Sequence, residues 1–419
     1  MILIYRVLIN LIFIISPLVI IFRLIKKKED PKRFKEKLCF FSKTKKKGKL
    51  VWFHGASVGE LNSIIPILEK LEKNNKVKQI LITSNTLSSS KIIKKLKFKK
   101  IVHQFFPIDT KFLTNKFLKY WQPSLALFID SEIWPNMICN LDQKKIPIIL
   151  LNARITKKSF KRWKIFSNFS KIIFSKINLS LVSDEFSKNY LKRLGTNNIK
   201  SIGNLKFCQP EKDVIKINNN FKKYIMSKKL WCASSTHESE EVFCGIVHKK
   251  LKKKYKNLLT IVIPRHIDRV NKIESEFSKM GLKTHLHEPI KKIDKETDIY
   301  LVNSYGQTKT FFYICKNVFL GGSLIPHGGQ NPLEAARYGC NILHGPNVSN
   351  FLGIYNFLGR NKISIKINST KTLLNNLEKF FLKKTKSKII EKKIKHIGKK
   401  VFNSTYKEIN FFLDKYEAK

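Results

Sequence analysis

Acidic residues are scarce in this sequence. It contains 30 Asp and Glu against 82 Lys and Arg, which leaves a formal net charge of +52. An excess of this size normally indicates a nucleic-acid or anionic-membrane partner. The lysines, however, recur on almost every predicted surface, and the sequence has no RNA-binding aromatic signature and no helix-turn-helix pattern. Composition therefore does not predict a nucleic acid as the partner.

The cysteines lack the spacing of a metal site or a redox pair. There are seven, namely Cys39, Cys139, Cys208, Cys232, Cys244, Cys315 and Cys340. None forms a CxxC pair, and scattered cysteines of this kind are typical of a reducing compartment. Each is expected to be a small buried residue rather than a nucleophile or a metal ligand.

The chain is long enough for more than one hydrophobic core. Its 419 residues exceed what one core usually holds, so two domains are predicted. Ligand sites often lie where two domains meet, which makes a cleft between them the expected place for a site.

Two stretches have the composition of membrane-facing segments. Met1 to Ile25 is apolar apart from a few residues such as Arg6 and Pro17, and Lys26–Lys28 follow directly. Its length is marginal for a span, so a signal anchor, an interfacial helix and a buried core helix all remain open. The flanking lysines predict a cytoplasmic location for the rest of the chain. From Ser159 to Lys176, aromatic and basic residues alternate at helical spacing, which fits a membrane-facing, acceptor-facing or solvated helix.

A carboxylate follows the first predicted strand. Lys49 to Phe53 has the pattern of a short strand, and a glycine turn then leads into a helix that starts near Glu60. Ligands bind at the carboxyl ends of strands in open parallel sheets, where a carboxylate can remove a proton from an attacking hydroxyl. Alternatively, Glu60 only complements the dipole of its helix.

Two further carboxylates follow a later strand. Leu125 to Ile129 is a predicted strand that ends in Asp130, and Glu132 lies two residues further on. This spacing would let both face one cleft. Either residue could instead cap the helix that starts near Pro135. Residues 84–90, earlier in this half, are predicted as a loop.

A glycine-rich stretch marks a candidate site in the second half. Val318–Leu320 ends a predicted strand, Gly321–Gly322 follow, and Pro332 suits the first turn of a helix. Free N–H groups beside Asn331 would attract an anion such as phosphate. Glu334 would repel phosphate, which indicates a hydroxyl-bearing part of a ligand such as a ribose. The alternative is a glycine-rich connection that binds nothing.

Two other strand ends in this half carry polar side chains. Arg265 follows the predicted strand Leu258–Ile263, and its guanidinium fork suits a phosphate or a carboxylate, although a surface arginine is the simpler reading. Ser235 or Thr236 with Glu240 resembles a helix cap, and the same donors would also suit a phosphate.

The glycine-rich segment resembles a known family. GGSLIPHGGQNPLEAARYGCNILHGP, from Gly321 to Pro346, is similar to the donor-binding signature of 3-deoxy-D-manno-octulosonic acid (Kdo) transferases, which attach Kdo from CMP-Kdo to lipid A precursors. HGASVGE ending at Glu60, DSEIWPN beginning at Asp130, NARIT and GNLKF resemble other motifs of this family, in the same order. At position 130 the family has Glu.

The resemblance implies an α/β protein with the GT-B glycosyltransferase fold, in which two Rossmann-like domains face a cleft after an N-terminal membrane-anchor helix. The implied parts are the anchor at 1–28, an acceptor-binding domain at 29–208, a CMP-Kdo-binding domain at 209–400 and a helix at 401–419 that returns to the first domain. Residues 209–228 are polar and rich in Asn and Lys, which indicates a linker followed by a helix. The family needs no DxD metal motif, so neither a metal nor a cofactor is expected.

The resemblance also implies roles for individual residues. Glu60 would be the general base, Asp130 would support the transition state, and Lys206 would stabilise charge on the leaving phosphate. The substrate-binding residues implied are Pro264, Arg265, Tyr305, Gly306, Gln307, Asn331, Pro332, Leu333 and Glu334.

The implied function is transfer of Kdo from CMP-Kdo to a lipid A precursor of the lipid IVA type, with inversion, in lipopolysaccharide core biosynthesis. The partners would be these two substrates and the inner membrane, with the catalytic domains in the cytoplasm. Two alternatives stay open at this point. One is a membrane-associated GT-B transferase for a different nucleotide sugar, and the other is a basic lipid- or nucleic-acid-binding protein.

Overall fold

The chain folds into two compact units. The computed structural model describes residues 1–209, 218–288, 293–383 and 386–416. Unit 1 comprises Met1–Gln209 and Gly398–Lys419, and unit 2 comprises Pro210–Ile397. Residues 210–217, part of the polar segment 209–228, lie outside the described part of the chain, as do 417–419 of the predicted last helix.

Unit 1 is built on a seven-stranded parallel sheet. Its strands are β1 Leu50–His54, β2 Gln79–Ser84, β3 Ile101–Phe105, β4 Leu125–Ile129, β5 Ile148–Ala153, β6 Leu179–Val182 and β7 Ile199–Ser201. They lie in the order β3-β2-β1-β4-β5-β6-β7, with every neighbouring pair parallel. The direction of strand addition reverses between β1 and β4, so a crevice opens there beyond the carboxyl ends of the strands.

The helices of unit 1 connect these strands and precede them. They are α1 Ile2–Ile25, α2 Val58–Glu72, α3 Leu87–Lys95, α4 Lys111–Trp121, α5 Pro135–Gln143, α6 Lys157–Ile165, α7 Ser167–Phe174 and α8 Glu185–Leu194, with 3-10 helices at Phe34–Leu38 and Leu205–Cys208. The loop predicted at 84–90 is wrong in its second half, because α3 begins there. Thr86 caps that helix by accepting the Ser89 N–H at 3.3 Å.

Unit 2 repeats the architecture. Its strands are β8 Lys229–Thr236, β9 Leu258–Pro264, β10 Thr284–Leu286, β11 Ile299–Leu301, β12 Asn317–Leu320, β13 Asn341–His344 and β14 Ser364–Lys366. They form a second seven-stranded parallel sheet in the order β10-β11-β9-β8-β12-β13-β14. Its topological switch point lies between β8 and β12. The α/β class with two parallel-sheet domains is therefore confirmed.

Helices flank the second sheet as well. They are α9 Asn219–Met226, α10 Glu240–Lys254, α11 Val270–Lys279, α12 Thr308–Ile314, α13 Leu333–Arg337, α14 Leu352–Arg360 and α15 Thr370–Leu382, with 3-10 helices at Ile267–Arg269 and Ser349–Phe351. The last helix, α16 Ser387–Lys415, begins in unit 2 and belongs to unit 1 from Gly398 onward.

The central strands are buried on both faces. Leu50–Phe53 in β1 and Trp231–Ala233 in β8 are all 0% exposed. Helices on both faces of a parallel sheet produce this continuous apolar pattern, in place of the alternation seen in half-exposed strands. The same pattern allowed the strands to be predicted from sequence.

The N-terminal helix α1 differs from every buried element. Within the described residues it is the single helix whose length and apolar composition would let it cross a membrane. Most of its large apolar side chains are exposed, for example Leu3, Ile14 and Leu18. The reading of this segment as a buried core helix is therefore wrong.

Replacing Ile409 with alanine should destabilise unit 1. Ile409 in α16 is 0% exposed, and truncating a fully buried isoleucine costs about 2–5 kcal/mol. Phe411 on the same helix is 56% exposed, so Phe411→Ala serves as the control, with an expected change below about 0.5 kcal/mol. Urea titration followed by tryptophan fluorescence reports on this unit, because four of the five tryptophans belong to it. Equal effects of the two substitutions would contradict docking of α16 on unit 1.

Candidate active site

Glu60 lies beside the switch point of the unit 1 sheet, in the first turn of α2 and directly after β1. One carboxylate oxygen accepts the Ala56 N–H at 2.8 Å, and the other accepts the Ser57 hydroxyl at 2.7 Å. The Ser57 oxygen in turn accepts the Glu60 N–H at 3.3 Å and so caps the helix. Glu60 therefore does help to form the helix start, and it also remains partly exposed at the sheet edge.

The surroundings of Glu60 favour its protonated form. Burial raises its pKa above the ordinary value of 4.5, and the nearby charges of Glu132 and Asp130 raise it further. The hydrogen bonds from Ser57 and Ala56 act in the opposite direction. A carboxylate with a raised pKa accepts a proton more readily once it is ionised, which is what general-base catalysis requires.

Asp130 is fixed by an unusual backbone and by one amide side chain. It follows β4 with φ +58°, and Asn152 in β5 has φ +52°, both in the left-handed region that residues other than glycine rarely adopt. The side-chain amide of Asn152 donates to the Asp130 carboxylate. The side-chain oxygen of Asn152 accepts the Leu205 N–H at 2.9 Å. Asn152 thus joins the loop after β4 to the segment that carries Lys206, a role that the sequence did not single out.

The positive charge of Lys206 acts on the carboxyl group of Asp130. Burial raises the pKa of Asp130, whereas the hydrogen bond from Asn152 and the positive charges of Lys206 and Arg154 lower it. Lys206 lies in the 3-10 helix that follows β7. The three predicted catalytic residues, Glu60, Asp130 and Lys206, therefore all lie beyond the carboxyl ends of strands in the unit 1 sheet.

A histidine and a third carboxylate form a network that the sequence did not predict. Glu132 accepts the Trp134 indole N–H at 2.9 Å and lies 3.2 Å from Nε2 of His54. On the other side of the ring, Nδ1 lies 2.9 Å from Oγ1 of Thr83, which accepts the Trp52 indole N–H at 2.9 Å. Burial lowers the pKa of His54 and so favours the neutral ring, whose Nε2 also lies 3.1 Å from the indole nitrogen of Trp134. Glu132 is oriented by this network, and neither it nor Asp130 caps α5.

In unit 2, the glycine turn after β12 closes on an internal carboxylate. Glu240, at the start of α10, is 1% exposed. Its oxygens accept four backbone N–H groups at 2.7–3.1 Å, those of His237, Gly322, Ser323 and Leu324. A Cβ on Gly321 would lie 2.5 Å from the Ser235 carbonyl oxygen. The sequence predicted that a ligand would lie close to this glycine backbone. In the structure, β8 and the side chain of Glu240 occupy that position. The predicted cap from Ser235 or Thr236 is wrong, because α10 has no side-chain N-cap.

The short helix predicted after Pro332 is present as α13, which has five residues. Asn331 precedes it, and its side-chain oxygen accepts the Leu333 N–H at 3.1 Å. Pro332 and Leu333 are buried, whereas Glu334 in the first turn is partly exposed. Asn331 thus uses its side chain to satisfy one free donor of the helix. Ligand binding by these four residues stays a prediction.

Arg265 stands among three histidines. Pro264 ends β9 and is buried, whereas Arg265 is exposed. The ring centroid of His237 lies 4.2 Å from that of His327 and 5.7 Å from that of His266. Burial, followed by these two histidines and Arg265, lowers the pKa of His237 to about 4. In the part of the chain that the structure describes, no group of His, Cys, Asp or Glu is arranged to hold a metal ion, this trio included.

The last predicted group follows β11, which neighbours β9 in the sheet. Tyr305 is 63% exposed, Gly306 has φ +86°, and Gln307 is the N-cap residue of α12. These residues lie at the same carboxyl edge as Arg265 and the glycine turn. A role in nucleotide binding stays a prediction for all three.

A family model and curated relatives agree on one family for this chain. A family model described as 3-deoxy-D-manno-octulosonic-acid transferase (kdotransferase) matches residues 32–209. A 3-deoxy-D-manno-octulosonic acid transferase of Rickettsia bellii is 34% identical over 375 residues, which cover 87% of this chain and 88% of the relative. The enzyme of that name from Haemophilus influenzae is 28% identical over 324 residues, 76% of each chain. Among solved structures, UDP-GlcNAc 2-epimerase from Neisseria meningitidis aligns with a TM-score of 0.57 at 13% identity, over 86% of this chain and 100% of its own, a likeness of fold alone.

Replacing Glu240 with glutamine should loosen the glycine turn of unit 2. One acceptor oxygen would become a donor that faces two N–H groups, and leaving buried donors unsatisfied costs on the order of 3 kcal/mol in total. Hydrogen exchange of the amides at 322–324, read by mass spectrometry, should become about 100-fold faster. Glu238→Gln is the control, since that side chain is 69% exposed. Unchanged protection in the Glu240 variant would show that the carboxylate does not hold the turn.

Proposed function

Because the chain belongs to the 3-deoxy-D-manno-octulosonic acid (Kdo) transferase family, we propose that it transfers Kdo from CMP-Kdo to a lipid A precursor of the lipid IVA type. It is a glycosyltransferase with the two-domain α/β fold of GT-B enzymes. The proposed role is in lipopolysaccharide core biosynthesis. The observation that carries the proposal is Glu60, a partly buried carboxylate with a raised pKa at the topological switch point of unit 1.

In the proposed reaction, Glu60 removes the proton from an acceptor hydroxyl. The hydroxyl oxygen forms a bond to the anomeric carbon of Kdo, the bond from that carbon to the phosphate oxygen breaks, and CMP leaves with inversion. The proton stays on Glu60 until solvent removes it. The existing hydrogen bonds from Ala56 and Ser57 support this role, because they hold both carboxylate oxygens in place before the substrate arrives.

Asp130 and Lys206 are proposed to act on charge. Lys206 would stabilise the negative charge that develops on the departing phosphate. Asp130 would support positive charge at the anomeric carbon, and the Asn152 bridge supports this assignment because it fixes the carboxylate relative to the segment of Lys206. Asp130 is one methylene shorter than the glutamate of the family, and its backbone lies in the left-handed region.

The donor is assigned to unit 2. CMP-Kdo carries a phosphate and a carboxylate, and the exposed guanidinium of Arg265 offers a bidentate partner for either anion. His237 and His327 stand beside it as further donors. The remaining contacts are assigned to the predicted substrate-binding residues, namely Pro264, Tyr305, Gly306, Gln307, Asn331, Pro332, Leu333 and Glu334.

The enzyme is proposed to work at the inner membrane, with both units in the cytoplasm. Residues 1–28 would form the anchor, since α1 is apolar and exposed and Lys26–Lys28 follow it. For the acceptor-binding and donor-binding domains we propose the boundaries of the two compact units. The acceptor domain then gains the chain from Gly398 onward.

The direct experiment incubates the purified chain with lipid IVA and CMP-Kdo and reads the product by mass. The wild type should add the mass of Kdo, and Glu60→Gln should lower the transfer rate by about 10²- to 10⁴-fold because the general base is lost. The matched control is Glu185→Gln, since Glu185 also lies in the first turn of a helix in unit 1 but its side chain is 68% exposed. Near-normal transfer by the Glu60 variant, with CMP-Kdo binding retained, would refute the base assignment. Absence of product from the wild type would refute the substrate assignment.

The acidic side of the pH profile should report on Glu60. Because its pKa is raised, transfer should be lost as the pH falls through a value above 4.5. Glu132→Gln removes a nearby negative charge, which lowers the pKa of Glu60 and should move this loss to lower pH. The measurement is kcat/KM against pH for the wild type, for Glu132→Gln and for the Glu185→Gln control. A shift to higher pH in the Glu132 variant would contradict the electrostatic assignment.

A further inference from the structure

One face of α1 is covered along the whole length of the helix. Buried and half-buried positions recur every three or four residues from Ile2, through Phe13 and Ile20, to Leu24. This spacing places them on a single stripe, and Ile2, Tyr5 and Phe13 pack against the core of unit 1. The large apolar residues off this stripe, from Leu3 to Ile25, are 50–74% exposed. The helix thus lies along unit 1 and leaves its other faces open.

Polar side chains attach the first turns of α1 to unit 1. The Tyr5 hydroxyl donates to Asp109 at 2.7 Å, and Nε of Arg6 donates to the side-chain oxygen of Asn136 at 3.1 Å. The Tyr5 ring also lies 6.0 Å from that of Phe169 in α7, centroid to centroid. These partners belong to the start of α5, to α7 and to the residues just before α4.

The other end of α1 is attached as well. Nε of Arg23 donates to Glu29 at 2.6 Å, and Glu29 also accepts from Lys37 at 2.6 Å. Glu29 is 3% exposed. The backbone oxygen of Lys37 accepts the Ile108 N–H at 3.1 Å, which joins this end to the chain that follows β3. Both ends of the helix are therefore bonded to the body of the same unit.

The distance between the two attachments decides the orientation. Tyr5 and Arg23 are separated by about 27 Å along the helix, close to the roughly 30 Å of a bilayer's hydrocarbon core. If α1 crossed the bilayer in this arrangement, its two attachments would lie at opposite interfaces, and the surface of unit 1 between them would lie within hydrocarbon. Polar protein surface is not stable there. The geometry fits a helix that lies along the bilayer surface.

Neighbouring helices extend the open apolar face. Ile165, Phe166 and Ile172, around the junction of α6 and α7, are 49–73% exposed. They lie within four residues of Phe169, which contacts Tyr5. Lysines and arginines surround them, as they do the C-terminal end of α1. An apolar surface with a basic rim matches a bilayer that contains anionic headgroups.

We propose that α1 lies flat in one leaflet of an anionic bilayer and that the junction of α6 and α7 inserts beside it. The helix does not cross the membrane. Both of its ends stay on the side of unit 1, with the covered stripe toward the protein and the exposed apolar residues toward the acyl chains.

This orientation also places the carboxyl end of the unit 1 sheet, where Glu60 and Asp130 lie, next to the membrane. Asp109 accepts the Tyr5 hydroxyl and the backbone N–H groups of Asn136 and Met137 at the start of α5. The loop that carries Asp130 and Glu132 ends at that helix start. One consequence rests on the proposed function. A lipid acceptor would present its headgroup sugar to Glu60 while its acyl chains stay in the leaflet.

The test measures depth at three points along the open face. Single cysteines at Ile4, Leu11 and Leu18 of the full-length chain are labelled with an environment-sensitive fluorophore. Labelling is selective because six native cysteines are buried and Cys208 is half-buried, and labelled wild type gives the background. The probes are quenched with spin labels placed at shallow or deep positions in vesicles of phosphatidylethanolamine and phosphatidylglycerol. The three shallow-to-deep quenching ratios should agree within about twofold.

Two results would overturn the proposal. A probe at Leu11 that lies deepest, with the others shallow, would mean that the helix crosses. Three unquenched probes would mean that a second copy covers the face, which crosslinking would then detect. Phe411→Cys in α16 is the control that should stay unquenched, because that helix contacts Asn74 and Lys76 at the opposite edge of the sheet.

A second readout concerns the lipid charge. Replacing phosphatidylglycerol with phosphatidylcholine should lower partitioning at least tenfold, since each cation near an anionic surface contributes about 1 kcal/mol. Equal partitioning would refute the anionic component. Neither readout requires transfer, so a failure here would leave the proposed chemistry standing, and inactive protein would leave the orientation standing.

Discussion

The parallel pairing of β1 with β4 is the constraint on which the site depends. It ends both strands at one edge, so the chain after β1, with Glu60, and the chain after β4, with Asp130 and Glu132, begin side by side. The first strand of the unit lies in the middle of the sheet, and crossover helices must leave on either side of it. A gap between the connections is therefore unavoidable, and it opens where the carboxylates are.

Each carboxylate near that gap is held by a different kind of partner. Glu60 is fixed by the turn that precedes its own helix. Asp130 is held by the side-chain amide of Asn152 in the next strand. Glu132 is held by the ring nitrogens of His54 and Trp134. Grouping acids raises the free energy of ionising any one of them, and burial adds to that cost. Separate supports therefore hold three carboxylates at the same end of the sheet.

Sequence was sufficient for the parts that depend on local pattern. Continuous apolar runs predicted β4 and most of the other strands, and the structure places the predicted site residues just beyond the carboxyl ends of these strands. Long-range partners were not predictable, because they depend on strand order. His54 and Glu132 lie 78 residues apart, and Gly322 and Glu240 lie 82 apart. The second pair changes how the glycine-rich motif is interpreted. The sequence predicted an anion site at this turn, and in the structure the turn binds the side chain of Glu240 from the same chain.

Asp109 serves two structures with a single carboxylate. It anchors the N-terminal helix through Tyr5 and caps the helix that follows the acidic loop. Any substitution there would disturb both contacts together, so selection cannot adjust the placement of the N-terminal helix independently of the placement of the acidic loop. Divergent members of such a lineage would have to change Tyr5, Asp109 and Asn136 in concert, which makes these three positions a natural place to look for correlated replacement.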